Sequence, residues 1–412
     1  MESIKFQYPV QSETDCITDG KGMPLQELVE TTQTVDLSSR ILPVVKPEDF
    51  TGGTIAEKVI AANDFIINAG GGYELYLGDT STYLLTKAIV LPSNTRVRMH
   101  GCTVQMTDNT VDNIFRSGNI ILDSDNPRGF ALNKDTMESA KNLEIIGESG
   151  ASLLMCDNAN ANNYGVTKTG WHGHTIMFAG VSNFSISGFT VNKNIAWGIC
   201  LSGCSYGNVH DIVFNTTREN GDGIDVEFGS HDIDIYNISG VTADDTVAIS
   251  NSGPSRLVMR PQEVTRPTCP FNYDYRRFGE ETYNIRVYNV NAQSTYHLVV
   301  FICGDYGIHD CSVAQVSDKD ANNASNVGST AIVKVYGGQY DGGYTQGMIH
   351  NCSVNDVKGY ACSVAAVHLS QGVIEHGRIN KVYVTSGGTV LKDQSGVTIA
   401  DYDFTVTNTG TI

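Results

Sequence analysis

Charge is scarce in this chain. Only 17% of its 412 residues are Asp, Glu, Lys or Arg, and the basic ones are the scarcer sign, 27 against 45 acidic. The formal net charge of −18 repels nucleic acid and anionic membranes, so neither is expected as a partner. No apolar stretch reaches the length of a membrane-spanning helix. The N-terminus, MESIKFQYPV, lacks the basic segment followed by an apolar run that marks a secretory leader. None of the ten cysteines forms a CxxC pair, and Cys200 and Cys204 are too isolated for a zinc site, so no metal or other cofactor is expected. Cys303 in VVFICG and Cys352 in IHNCSV sit in apolar strand-like settings and read as buried reduced thiols, which favours a reducing compartment.

What is present in quantity is glycine, 42 residues, together with recurrent Asn, Ser, Thr and Val. That composition suits many short strands joined by tight turns rather than helical bundles. A pattern of alternating apolar residues followed by Asn or Gly turns repeats along the chain. It reads NFSISGFTV from Asn183, NVHDIVFNT from Asn208, DIDIYNISGV from Asp232 and NIRVYNVNA from Asn284, then GIHDCSVAQV from Gly307, MIHNCSVNDV from Met348 and RINKVYVTSG from Arg378. Alternation points one strand face inward and one outward. A period in the low twenties predicts coils that stack to share one core, the arrangement of a parallel β-helix. Asn and Gly supply left-handed corners.

The expected fold is therefore all-β: a single right-handed parallel β-helix, a three-sheet solenoid, over residues 51–412. Residues 1–50 read as an irregular N-terminal segment. The run TIAEKVIAANDFIINA at 54–69 carries a helical apolar pattern and is expected to cap the first coil. The step from Asp232 to Asn284 requires a long loop insertion at 251–280, and a smaller one is expected at 317–329.

Two acidic groups stand out, NGDGIDVE with Asp222, Asp225 and Glu227, and ADDTVAIS with Asp244 and Asp245. Asp222 and Asp245 are one coil period apart, which predicts the same outer face on neighbouring rungs about 4.8 Å apart. Clustered carboxylates resist ionising together, so one is held protonated while another stays charged. That provides the general acid and general base that glycoside hydrolysis requires. Aspartates at coil corners that only bond turn amides are the alternative.

The run from Ala196 to Ser250 resembles the polygalacturonase-like family, glycoside hydrolase family 28. The residues that carry the resemblance are Trp197, then Asn220-Gly221-Asp222-Gly223, then Asp244-Asp245. His297, in Tyr296-His297-Leu298, follows where the family has a histidine, and Lys334, in Ile332-Val333-Lys334, where it has a lysine. The resemblance spans roughly 180–360. It implies an inverting hydrolysis in which Asp244 protonates the leaving oxygen, Asp222 and Asp245 hold and activate water, His297 tunes the acid or bonds to substrate, and Lys334 binds the sugar. The chain departs from the family at Gly221, where a threonine is usual, at Tyr296 and Leu298, where glycines flank the histidine, and at Ile332, where an arginine helps grip a galacturonate carboxylate. A lone lysine is a less oriented partner than a bidentate arginine.

The insertion places Arg256 and Arg260 directly after the acidic pair, as candidate partners for an acidic sugar or, equally, as solvated charges of a subunit contact or lid-like cover. Trp197, one rung before Asp222, reads equally as a sugar platform or a packed core residue. The expected substrate is an oligo- or polysaccharide of pectin-like or other uronate- or deoxysugar-containing type. Alternatives are a polysaccharide lyase or epimerase on the same scaffold, or a non-catalytic glycan-binding β-helix such as a virion spike or adhesin. A homotrimer is the expected oligomer. The expected location is cytoplasmic, or secreted or virion-associated with the leader absent.

Overall fold

The computed structural model describes residues 37, 40–110, 112–122, 130–132, 140–156, 173–218, 220–251, 281–304, 306–318, 329–337, 348–370, 372–393, 397–399 and 405–412. The chain divides into two compact units, Met1–Asp36 and Leu37–Ile412, and all of the described residues lie in the second. Apart from Asn251, the insertion expected at 251–280 lies outside the described residues, as do Arg256 and Arg260.

The second unit is a right-handed parallel β-helix. Successive coils give one strand each to a ten-stranded parallel sheet and further strands to a twenty-stranded parallel sheet. In the long strands Ser205–Asn215, His231–Thr242 and Thr282–Ser294, two faces of the larger sheet run on through a bend. One antiparallel pair, Ile120–Leu122 with Phe130–Leu132, interrupts the parallel pattern. Sheet pairing begins at Val44–Val45, earlier than the boundary expected at residue 51.

Alternation holds the core together. Ile199, Leu201, Ile224, Val226, Val247 and Ile249 are fully buried and stack rung on rung in register. Each such side chain contributes about 1.5–3 kcal/mol on burial, which is why no single coil is stable without its neighbours. The bend of the larger sheet is a column of left-handed residues, Asp211, Asn237, Asn289, Gln315, Asp356, Lys381 and Asn408. Side-chain amides run along part of it: Asn237 Nδ2 donates to Asp211 Oδ1 at 2.8 Å and Asn289 Nδ2 to Asn237 Oδ1 at 2.6 Å.

A second left-handed column holds Asn183, Tyr206, Asp232, Asn284, Asp310 and Asn351. Here the sequence reading of the repeat slips by two residues on both sides of Asn208, which pairs with Ser185 and Asp234 rather than with Asn183 and Asp232. The corner itself is Tyr206, at a φ of 56°, with its ring edge-on to His231 at 5.3 Å. A tyrosine at a left-handed corner hides the coil boundary from a search for Asn and Gly.

The capping helix spans Ile55–Asn68. Thr54 accepts from the Glu57 backbone N–H while the Glu57 carboxylate accepts from the Thr54 N–H, satisfying two amides that a helix start leaves open. Val59, Ala62 and Ile66 face the core. No helix of the described residues is long and apolar enough to cross a membrane. The eight described cysteines are all free thiols.

Candidate active site

The site is assembled where strands of the ten-stranded sheet begin: Ile199–Ser202, Ile224–Glu227, Val247–Asn251 and His297–Cys303. Backbone bonds extend the ladder upstream of these strands. Gly198 N–H donates to the Asp222 carbonyl at 2.9 Å, Gly223 N–H to Asp245 at 2.8 Å, and Thr246 N–H to His297 at 2.9 Å. Thr175 N–H donates to the Trp197 carbonyl at 3.0 Å. His174, Trp197, Asp222, Asp245 and His297 therefore form one column, a rung of about 4.8 Å apart.

Asp222, Asp244 and Asp245 each bring a carboxylate oxygen within 4.8 Å of the others. Asp222 and Asp245 are buried, at 6% and 4% exposure, and Asp244 is half-buried and the most open of the three. The Asp244 backbone is pinned from two sides, its carbonyl accepting from Ser294 Oγ at 2.6 Å and Thr242 Oγ1 at 2.8 Å. Asp245 Oδ1 accepts the His297 backbone N–H at 3.1 Å and meets His297 Nδ1 at 2.7 Å. A carboxylate only accepts, so Nδ1 carries the proton and Nε2 is the nitrogen left for other work.

Burial pushes the Asp222 carboxyl well above the ordinary carboxylate range, and the charges of Asp225, Asp244 and Asp245 push the same way. Asp222 Oδ1 has no hydrogen-bond partner to offset this. Asp225, on the outer face of the Ile224–Glu227 strand, is driven upward by burial and then by Glu227, Asp245 and Asp244, and its Oδ2 is likewise unpartnered. Carboxyls raised in this way within one cluster favour holding a proton there, the starting condition that acid–base chemistry needs. Three converging carboxylate oxygens can also close on a hard divalent cation.

Lys334 lies on the outer face two coils beyond Asp245, its ammonium 5.0 Å from the centre of the Tyr336 ring. Burial lowers its pKa and the Asp245 charge opposes that. Ile332 is fully buried in the main core cluster. Trp197 is buried at 5% exposure and stacks on His174 at 4.7 Å. His174 was not singled out from sequence, although it precedes Trp197 by one coil period. The departure at Gly221 has a steric reason: a Cβ there would lie 2.5 Å from the Arg218 carbonyl oxygen, so threonine does not fit. Tyr296, also a departure, is 48% exposed beside His297.

No protein-family model and no curated protein matches the chain. Solved structures do. The polygalacturonase of Erwinia carotovora ssp. carotovora is 14% identical with a TM-score of 0.50, over 87% of this chain and 98% of its own. A 1,3-α-1,4-β-D-galactose-4-sulfate-3,6-anhydro-D-galactose-2-sulfate 4 galactohydrolase is 15% identical with a TM-score of 0.52, over 86% and 91%. An ι-carrageenase complexed to ι-carrageenan fragments is 14% identical with a TM-score of 0.50, over 87% and 92%. At these identities the shared property is the fold, the right-handed parallel β-helix of polygalacturonase-like proteins.

Proposed function

We propose that this chain is a glycoside hydrolase acting on an acidic glycan of pectin-like or other uronate- or deoxysugar-containing type. The observation that carries this reading is the convergence of Asp222, Asp244 and Asp245 within 4.8 Å, backed by the buried Asp245–His297 pair. Asp244, the most open of the three, faces the leaving oxygen as general acid. Asp222 and Asp245 hold the attacking water. The proton that burial places on Asp222 in the free protein belongs to the coupled cluster and redistributes when substrate enters. Lys334 meets an acidic substituent, Tyr296 offers an exposed ring for a sugar face, and Arg256 and Arg260 are further candidates for the acidic group.

The cluster is tighter than the roughly 6.5–9.5 Å that separates paired carboxylates in most inverting glycosidases. Anomeric outcome is therefore the informative measurement. Defined pectic oligosaccharides and sulfated galactans, the latter suggested by the ι-carrageenase and the galactohydrolase, are incubated with the protein and the first-formed anomer is read by NMR. Inversion is the expected result. Retention transfers the role of nucleophile to one of the aspartates and overturns the water-holding assignment.

A lyase or epimerase is the second reading, favoured by one observation: burial makes Lys334 easier to deprotonate, as a base that removes a sugar C5 proton must be. Unsaturated, ultraviolet-absorbing products that vanish on removal of calcium select it over hydrolysis.

A further inference from the structure

Away from the acidic cluster, on the outer face of the twenty-stranded sheet, a row of rings runs from coil to coil. His231 stacks on Tyr283 at 4.7 Å, Tyr283 on His309 at 5.0 Å, and His309 on His350 at 4.8 Å. The register explains the row, since Tyr283 pairs with His309 and His309 with His350, while Thr282, Ile308 and Ile349 point inward. Glu281, two residues before Tyr283, shares its outward face.

At one end of this row Glu281, His309 and His350 each offer a ligand atom within 4.8 Å of the others. His309 Nε2 lies 3.3 Å from Glu281 Oε2. That is close to the edge of a tetrahedron built on metal–ligand bonds of about 2.1 Å. The other nitrogen of the same ring, Nδ1, sits 2.7 Å from Asp310 Oδ2. The carboxylate accepts, so Nδ1 keeps its proton and Nε2 is aimed at Glu281, while His350 lies against the face of the same ring. A histidine oriented through its far nitrogen by a carboxylate is the usual supporting arrangement of a metal-bound imidazole. Asp310 is itself held by the Asn351 amide.

We propose that Glu281, His309 and His350 bind a divalent transition-metal ion of the zinc class, with Asp310 as the positioning residue. Two imidazoles and one carboxylate suit zinc and its neighbours and leave a fourth position for water. They suit calcium and magnesium poorly, because those ions demand oxygen. His350 turns out of its stack on His309 to join, and the ion then ties together three successive coils. The spacing of these residues in sequence, 28 and 41 positions, matches no metal motif; only the stacking of coils brings them together.

The test uses the full chain free of any affinity tag. Zinc or cobalt is titrated by calorimetry, and thermal unfolding is followed in parallel. One equivalent is expected to bind in the micromolar range or tighter and to raise the Tm. H309Q and H350Q are expected to abolish binding and the Tm rise, and D310N to weaken binding by about 10–100-fold. D244N, which alters the other acidic cluster, is expected to leave zinc affinity unchanged. Full zinc affinity in both H309Q and H350Q, or loss of it in D244N, overturns the site. So does calcium binding that equals zinc binding and competes with it. Circular dichroism of each variant separates lost binding from lost folding, and none of these readouts depends on glycan turnover.

Discussion

Single side chains at the site are placed under electrostatic load. Asp222, Asp244 and Asp245 converge, and Asn at position 222 or 244 removes charge while keeping shape. Either substitution is expected to reduce glycan turnover by at least about 10²–10⁴-fold with an unchanged circular dichroism spectrum. Near-full turnover in both variants would falsify the catalytic assignment. Asp225 makes a prediction of opposite sign for stability. Its folded carboxyl is raised above the ordinary value of 3.8, so the folded state holds a proton that the unfolded state releases first. Its stabilising contribution is complete below about 3.8 and is lost as pH climbs through the folded value, so the folded state is penalised at higher pH either by holding the proton or by burying the charge. Asp225→Asn is therefore expected to stabilise the protein by about 1–3 kcal/mol at pH 7, measured by denaturant unfolding. The gain is expected to shrink as pH falls towards 4. An equal or larger gain at acid pH contradicts the electrostatic origin.

Strands and corners divide the work between them. Alternation sets the faces of each strand, but corners set the register, and some left-handed positions leave no room for a side chain. Gly240 shows why. It sits inside the long His231–Thr242 strand at a φ of 101°, and a Cβ there would lie 2.0 Å from the Phe214 carbonyl oxygen of the preceding coil. Gly240→Ala is expected to cost about 1–3 kcal/mol from the backbone conformation alone, with the backbone clash in addition. Gly387, at a φ of 86° with open space around it, is the control, and Gly387→Ala is expected to lower Tm less. Equal Tm losses contradict the role given to close packing between coils. Tyr206 and Gln315 stand at left-handed corners, each at a φ of 56°, without being glycine or asparagine, so the corners were only partly visible as a residue pattern.

As a whole the β-helix is a stack whose open end needs a cover. The Ile55–Asn68 helix packs Val59, Ala62 and Ile66 onto the first coils, and Ile66 is fully buried. Ile66→Ala is expected to cost about 2–5 kcal/mol. Ile66→Asp is expected to do more, exposing a stackable coil end and shifting the protein from its native size to aggregates in size-exclusion chromatography. A native elution profile for Ile66→Asp contradicts the capping role.

The repeat, the inward alternation and the capping helix were legible in sequence because each is a local periodicity, and each dictates a buried face. The pairing of Asp222 with Asp245 was legible for the same reason, being one coil period. Burial and partners were not. Whether Trp197 packs on His174, whether Ile332 lies in the core, and why Gly221 excludes a larger residue depend on which coil lies above and below. The length of each coil and each insertion sets that, and no single repeat states it. Glu281, His309 and His350 are the extreme case. Residues far apart in the chain become neighbours only when parallel stacking removes the sequence between them, so the tertiary structure alone brought them to one face.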